Sequence, residues 1–365
     1  MMARLGDICT IVSGSTPKSD VPEYWDGSIK WITPAELTES SYIIKDSIRH
    51  ITELAVVKTG LKPFPSGTVI LSSRAPIGKT AIAGCEMYCN QGFKNLICSD
   101  KINPRYLYWF LTCNTEYLNS LGRGATFKEI SKEIVANIEI PLPPIERQIA
   151  IAEKIEKISA LIALRKEQLA KLDELVKSRF IELFGDPITN PMGWELHRFD
   201  SLCENLDSRR KPITASEREA GIYPYYGASG IVDYVAGYLF DEDILLVSED
   251  GANLLMRSTP IAFSVSGKVW VNNHAHVVRF EKMSMQKYIE VYFAFIDISD
   301  HITGSAQPKL NQAKLNAMMF PVPSEERLDA FLQFVEQTDK SKLAIQRSLN
   351  KLELLKKSLM QEYFG

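Results

Sequence analysis

The chain has no Cys-x-x-Cys pair. Its six cysteines, Cys9, Cys85, Cys89, Cys98, Cys113 and Cys203, are scattered over 365 residues. That spread excludes a zinc-ribbon ligand set and a disulfide framework, and it fits a reducing cytosol. No stretch approaches the ~18 apolar residues a membrane helix needs, and the opening MMARLGDICTIV lacks the apolar run of a signal peptide. A soluble, cytoplasmic protein is expected. Charge of one sign is also missing: 42 Lys and Arg face 45 Asp and Glu, for a net charge of -3. Any contact with nucleic acid must therefore come from a local basic face.

Catalytic motifs are equally scarce. GxSxG, HExxH and a Gly-rich dinucleotide turn do not occur. The nearest approach to an NPPY-type tetrapeptide is Asn103-Pro104-Arg105-Tyr106, which lacks the second proline. His274 and His276 lie two apart on a predicted strand and so share a face, but no further ligands accompany them. No catalytic, cofactor-binding or metal residue is expected. One near-match remains. Ser73 to Thr80, SRAPIGKT, fits the phosphate loop GxxxxGK[ST] except that Ser73 replaces the first glycine. That glycine lets backbone N–H groups wrap phosphate. The aligned segment SEDGANLLM in the second half has no Gly-Lys-Thr. A nucleotide-hydrolysing enzyme is thus a rival reading, and a coiled-coil scaffold that binds only protein is another.

What the sequence has is repetition. Pro141, Pro143, Arg147, Leu169, Leu172, Leu175, Ser178 and Phe184-Gly185 match Pro321, Pro323, Arg327, Leu349, Leu352, Leu355, Ser358 and Phe364-Gly365 without a gap. Arg4 to Cys9 is echoed by Arg198 to Cys203. The matching stretches, 142–185 and 322–365, read as long helices. Prolines stop the preceding strand and suit a first helical turn. Apolar residues then recur in a heptad seam. In the first helix the seam is Ile151, Ile155, Ile158, Ile162, Leu169, Leu172, Val176 and Leu183. In the second it is Phe331, Val335, Ile345, Leu349, Leu352, Leu359 and Tyr363. Arg165, Arg179, Thr338, Lys342 and Lys356 interrupt it. About 40 residues at about 1.5 Å each make a rod of roughly 60 Å. Its apolar stripe must be buried, and the other rod is the natural mate. A second stripe, Leu161, Leu164, Leu175, Leu343 and Leu355, is left for a partner.

The globular segments, 1–141 and 186–321, read as α+β with antiparallel strands. IKWIT, GTVILSS, TAIAGC, FKNLIC and IEIPL are strand candidates in the first, as are IVDYV, DILLVSE, PIAFSV and HAHVVRF in the second. A helix capped by Asn103 with Pro104 at its first position matches one at MQKYIEVYFAF. A short helix is expected from about Lys128, and YPYYGASG reads as an aromatic turn-rich loop. Polar, basic and aromatic residues recur at matching places of both segments. In the first these are Lys30, Trp31, Arg74, Lys79, Gln91, Lys94, Arg123, Thr126 and Lys128. In the second they are Tyr225, Tyr226, Ser229, Asn253, Arg257, Asn273, His274, Gln307 and Lys309. Arg and Gln can read base edges, whereas Lys and Thr hold phosphate. Together they form the candidate DNA-binding set.

The order module, helix, module, helix resembles the specificity subunit of a type I restriction–modification system. So do PLPP-x-ERQ at the first helix start, the endings FxELFG and QEYFG, the loop YPYYGASG, and SSRAPIG followed by NQGF. The second copy departs in one place: PVPSEER lacks the Gln that follows Arg147. The resemblance implies two target recognition domains, each reading half of a bipartite site in double-stranded DNA. It implies an antiparallel helical pair with a pseudo-two-fold repeat that sets the spacing. It also implies two methyltransferase subunits docked on the helices, with restriction subunits joining through them. S-adenosylmethionine, Mg and ATP would then sit on those partners, with no cofactor on this chain.

Overall fold

The computed structural model describes every residue except Glu39, Ala75, 125–127 and 305–306. The chain divides into two compact units, residues 1–166 with 347–365, and residues 167–346. The four longest helices are α1 (Pro104–Cys113), α2 (Ile145–Phe184), α3 (Met283–Tyr292) and α4 (Glu325–Phe364). The division falls within α2 and α4, so each unit owns part of both.

In the first unit a five-stranded sheet runs in the order Cys9–Val12, Asn95–Cys98, Val69–Leu71, Thr80–Ala83, Ile43–Ile44. Helix α1 packs on it. The Asn103 side chain accepts from the backbone N–H groups of Arg105 and Tyr106, and Pro104 occupies the first helical position. These satisfy donors that the helix itself cannot. Tyr106 to Leu111 are all buried, because sheet, helix α2 and the end of α4 surround α1. A second sheet joins Arg49–Ile51, Trp25–Ile32 and Tyr88–Cys89. Met2–Arg4 pairs antiparallel with Glu139–Pro141.

The second unit repeats this plan. Its sheet order Glu204–Asn205, Ala275–Arg279, Ile244–Ser248, Ala262–Val265 reproduces the first four strands above. Its other sheet again includes one parallel pair, Ala220–Gly227 with Lys268–Val271, as Trp25–Ile32 pairs in parallel with Tyr88–Cys89. Glu195–Arg198 pairs with Met319–Val322. The fold is α+β, as the sequence implied. Two local expectations need correction. YPYYGASG is mostly strand, with its turn confined to Ala228 and Ser229, since its three tyrosines suit a pleated, half-buried surface. The short helix expected near Lys128 begins at Lys132, where the Ser131 hydroxyl caps the Ile134 N–H at 3.2 Å.

The long helices pair antiparallel in each unit. In the first, Lys166 meets Glu353 at 3.0 Å and the Lys154 ammonium meets the Tyr363 hydroxyl at 3.3 Å. In the second, Lys342 meets Asp173 at 2.6 Å, and Arg327 donates to the Leu183 carbonyl. Partner numbers fall as α2 numbers rise, which fixes the direction. Every expected seam residue is buried or half-buried. The polar interruptions find local partners. The Thr338 hydroxyl donates to Phe334 O at 2.8 Å, the Arg179 guanidinium lies over the Phe334 ring, and the Lys356 ammonium lies over Trp109.

Candidate nucleic-acid interface

In both units the end of a central strand, just past Val69–Leu71 and Ile244–Ser248, carries a short loop closed by a backbone clasp. Arg123 and Glu129 exchange backbone hydrogen bonds of 3.0 and 2.9 Å, and so do Thr303 and Lys309, at 2.8 Å each. The loop is stitched to the sheet the same way twice. Ile130 N donates to Ser73 O and Ser73 N to Gly92 O, while Leu310 N donates to Glu249 O and Glu249 N to His274 O. Glu129 therefore corresponds to Lys309, Ser73 to Glu249, and Lys94 to His276. Strand bridges carry the same correspondence to Arg74 and Asp250.

Around these clasps gather Arg74, Gln91, Arg123 and Lys128 in the first unit, and Asn273, His274, Gln307 and Lys309 in the second. Gln91, Arg123, Lys128, Asn273, His274, Gln307 and Lys309 are exposed. Arg74 Nε meets Glu129 at 2.9 Å, and the Thr16 hydroxyl donates to Gln91 Oε1 at 2.5 Å. His274 pairs with Asp250 at 2.9 Å. Ser229 is exposed next to Ala228, whose carbonyl accepts from the Ser248 hydroxyl. Asn253 braces its own turn, accepting from Ser258 Oγ and Thr259 N. Tyr226 is half-buried beside Phe263. Thr126 lies outside the described residues.

Other expected contacts are buried or bonded to the protein itself. Trp31 and Tyr225 are 2% and 1% exposed. The Trp31 indole donates to Ser15 O, and the Tyr225 hydroxyl is bonded to the Ile213 backbone. Both are core aromatics whose polar atoms needed an inward partner. Lys30 donates to Lys45 O, Lys79 to Leu37 O, and Arg257 to Phe293 O and Ile296 O. These bonds close loops, and burial pushes the Arg257 guanidinium below its ordinary pKa. Lys94 is 7% exposed and bound to Glu129 at 3.1 Å.

The phosphate-loop resemblance is a turn. Val69–Leu71 and Thr80–Ala83 are antiparallel neighbours, and Gly78 at φ 93° lets the chain reverse between them. The Ser72 hydroxyl accepts from Lys79 N and donates to Pro76 O inside that turn. A phosphate loop opens a helix whose N–H groups face the anion, and here a strand follows.

His276 does not share the surface of His274. It is buried, 2.6 Å from Asp207 and 2.8 Å from Leu310 O. Asp207, Glu249 and His276 are close enough to hold a cation. Arg210 already bridges Asp207 and Glu249 at 3.2 and 2.6 Å, and Lys309 meets Glu249 at 3.0 Å. Two fixed cations neutralise the carboxylates, so the cluster is an ion-pair network. Sequence reading missed Glu129, Asp207 and Glu249 because an acid beside DNA repels phosphate unless a fixed base neutralises it, and Arg210 because its two carboxylates lie at unrelated spacings, three and 39 residues away.

The family description "Type I restriction modification DNA specificity domain" matches residues 1–174 and again 191–354. The chain belongs to that family. It is a specificity subunit of a type I restriction–modification system, and the two matches coincide with the structural repeat. The chain is 29% identical over 391 residues to the type I restriction enzyme MjaIX specificity subunit of Methanocaldococcus jannaschii, covering 98% of this chain and 90% of that protein. It is 26% identical over 353 residues to the EcoprrI specificity subunit of Escherichia coli, covering 88% and 83%. Among solved structures, the S subunit of the type I system from M. genitalium has a similar fold. Its TM-score is 0.62 at 15% identity, with 100% of this chain and 96% of that one covered. A chain from a structure describing assembly and conformational transition of the type I R-M system scores 0.60 at 17% identity, covering 100% and 97%. No helix among the described residues is long and apolar enough to cross a membrane.

Proposed function

We propose that each unit of this specificity subunit reads one half of a bipartite site in double-stranded DNA, with no catalysis of its own. The observation that carries this is the clasp duplicated at the end of a central strand in each unit. The same backbone stitching presents Arg74, Gln91, Arg123 and Lys128 in one unit and Asn273, His274, Gln307 and Lys309 in the other. Like scaffolds with unlike side chains suit two different half-sites. The paired helices would set the gap between halves. Leu161, Leu164, Leu175, Leu343 and Leu355 are all exposed on those helices, an apolar stripe suited to methyltransferase subunits. Restriction subunits would join through the methyltransferase, and S-adenosylmethionine, Mg and ATP would be bound by the partners. Replacing residues 1–140 with those of another family member, then mapping methylation, tests the reading. One half of the recognised sequence should change and the other should not. An unaltered motif, or one changed in both halves, counts against modular readout.

A further inference from the structure

The two reading loops are held by half-buried ion pairs of opposite charge order. In the first unit the loop supplies the acid. Glu129 takes Lys94 at 3.1 Å and Arg74 at 2.9 Å, and Lys94 also donates to the Ser73 hydroxyl at 3.2 Å. In the second unit the loop supplies the base. Lys309 meets Glu249 at 3.0 Å, and Glu249 also takes Arg210 at 2.6 Å. Glu129 and Lys309 occupy equivalent loop positions, whereas Lys94 and Glu249 stand on the sheet beneath. One sheet-side partner of each pair is buried: Lys94 at 7% and Glu249 at 9% exposure. A buried charge without its mate is costly, so each loop has one seat that satisfies it.

We propose that Glu129 and Glu249 are positioning residues for DNA reading. Each locks the loop of its own unit, through Lys94 and Arg74 or through Lys309, so that the exposed side chains left free on it, Arg123 and Lys128 or Gln307, meet base edges and phosphates in one register. This rests on the reading of the units as half-site readers. Reversal of the charge order makes each loop fit only its own sheet, since a loop transplanted across units would set Lys against Lys94 or Glu against Glu249.

The test uses the full chain expressed with its methyltransferase subunits, with the methylated motif read from cellular DNA. Glu129→Gln should blur one half of the motif, with discrimination against single-base changes falling about tenfold, and leave the other half sharp. Glu249→Gln should do the same to the opposite half. Loss of a carboxylate near DNA would strengthen phosphate attraction if it acted by charge alone, so a loss of base discrimination marks positioning. A merely structural role would lower total methylation with the motif unchanged. Glu129→Lys should be worse than Glu129→Gln, and adding Lys94→Glu should restore the half. That double variant sets a base on the loop over an acid on the sheet, the charge order of the second unit, with the acid at the Lys94 position (counterpart of His276) rather than at Ser73 (counterpart of Glu249). Sharp halves in both Gln variants overturn the inference, as does a double variant that melts like wild type yet stays as blurred as Glu129→Lys. A wild-type complex with no bipartite motif overturns the function reading and this inference with it.

Discussion

Tyr106 and Tyr288 donate their hydroxyls to the main-chain oxygens of Pro141 and Pro321, at 2.9 and 2.8 Å. The two bonds tie α1 and α3 to the strands that lead into the long helices. Burial pushes the Tyr106 phenol up to about 12 and the Tyr288 phenol higher, so both stay protonated donors. Tyr106→Phe and Tyr288→Phe each take the hydroxyl donor from a proline carbonyl, half-buried in the first case and buried in the second, for a loss of about 1–2 kcal/mol. Hydrogen exchange should show faster opening of α1 amides in the first variant and of α3 amides in the second. Equal effects on both helices in either variant would count against local bracing. The acids of the loop seats add a pH dependence. Burial raises the carboxyl pKa of Glu129 and of Glu249, but hydrogen bonds from Lys94 and Arg74, and from Arg210 and Lys309, outweigh it and hold both below the usual value. Their stabilisation is complete above the unfolded carboxyl value near ~4.3. It is lost as pH falls through the lowered folded values. Glu249→Gln should cost on the order of 3 kcal/mol at neutral pH and flatten the acid limb of urea midpoint against pH. A parallel, uniformly shifted limb would show that Glu249 is not among the titrating groups. The Tyr match was legible in the aligned sequences. The seats were not, because the loop residue changes sign between copies, its sheet partner comes from a different position in each, Lys94 in one and Glu249 in the other, and an alignment by charge pairs Lys128 with Lys309, one position off.

At the scale of elements, each α1-type helix is covered by the last turn of a rod that begins elsewhere in the chain. Phe364 of α4 lies 5.1 Å from the Tyr106 ring and 6.1 Å from Phe110. Phe184 of α2 lies 4.8 Å from Tyr288 and 5.3 Å from Phe331. Asn114 Nδ2 also donates to Phe364 O at 3.5 Å. The Phe-Gly endings were legible as a repeat, and heptad spacing made pairing of the rods legible too. What the endings pack upon was not, because a terminal Phe on a seam looks the same whether its neighbour is a helix or a globular core. Phe364→Ala should remove about 3–5 kcal/mol from the first unit, seen as faster exchange in α1 with α3 spared. Phe184→Ala should give the reverse. If either variant loosened both units alike, the terminal rings would not be local core residues.

For the whole molecule, on the proposal that the paired helices set the DNA gap, a length change in them becomes a change of gap. An insertion near Ala170 in α2 alone would separate the contacts on either side of it, Lys166 with Glu353 and Asp173 with Lys342, because α4 keeps its old length. A four-residue insertion in α2 between Lys166 and Asp173 needs a matching one in α4 between Lys342 and Glu353. Four residues make slightly more than one 3.6-residue turn, so the seam remains nearly in phase in both rods. The added length is about 6 Å, or one to two base pairs at about 3.4 Å each. Mapped methylation should then show the same two half-sequences with one or two more unspecified pairs between them. The insertion in α2 alone should lower the melting temperature through lost seam contacts. An unchanged gap in the matched variant, with folding intact, would mean that something other than rod length sets the separation the DNA must present.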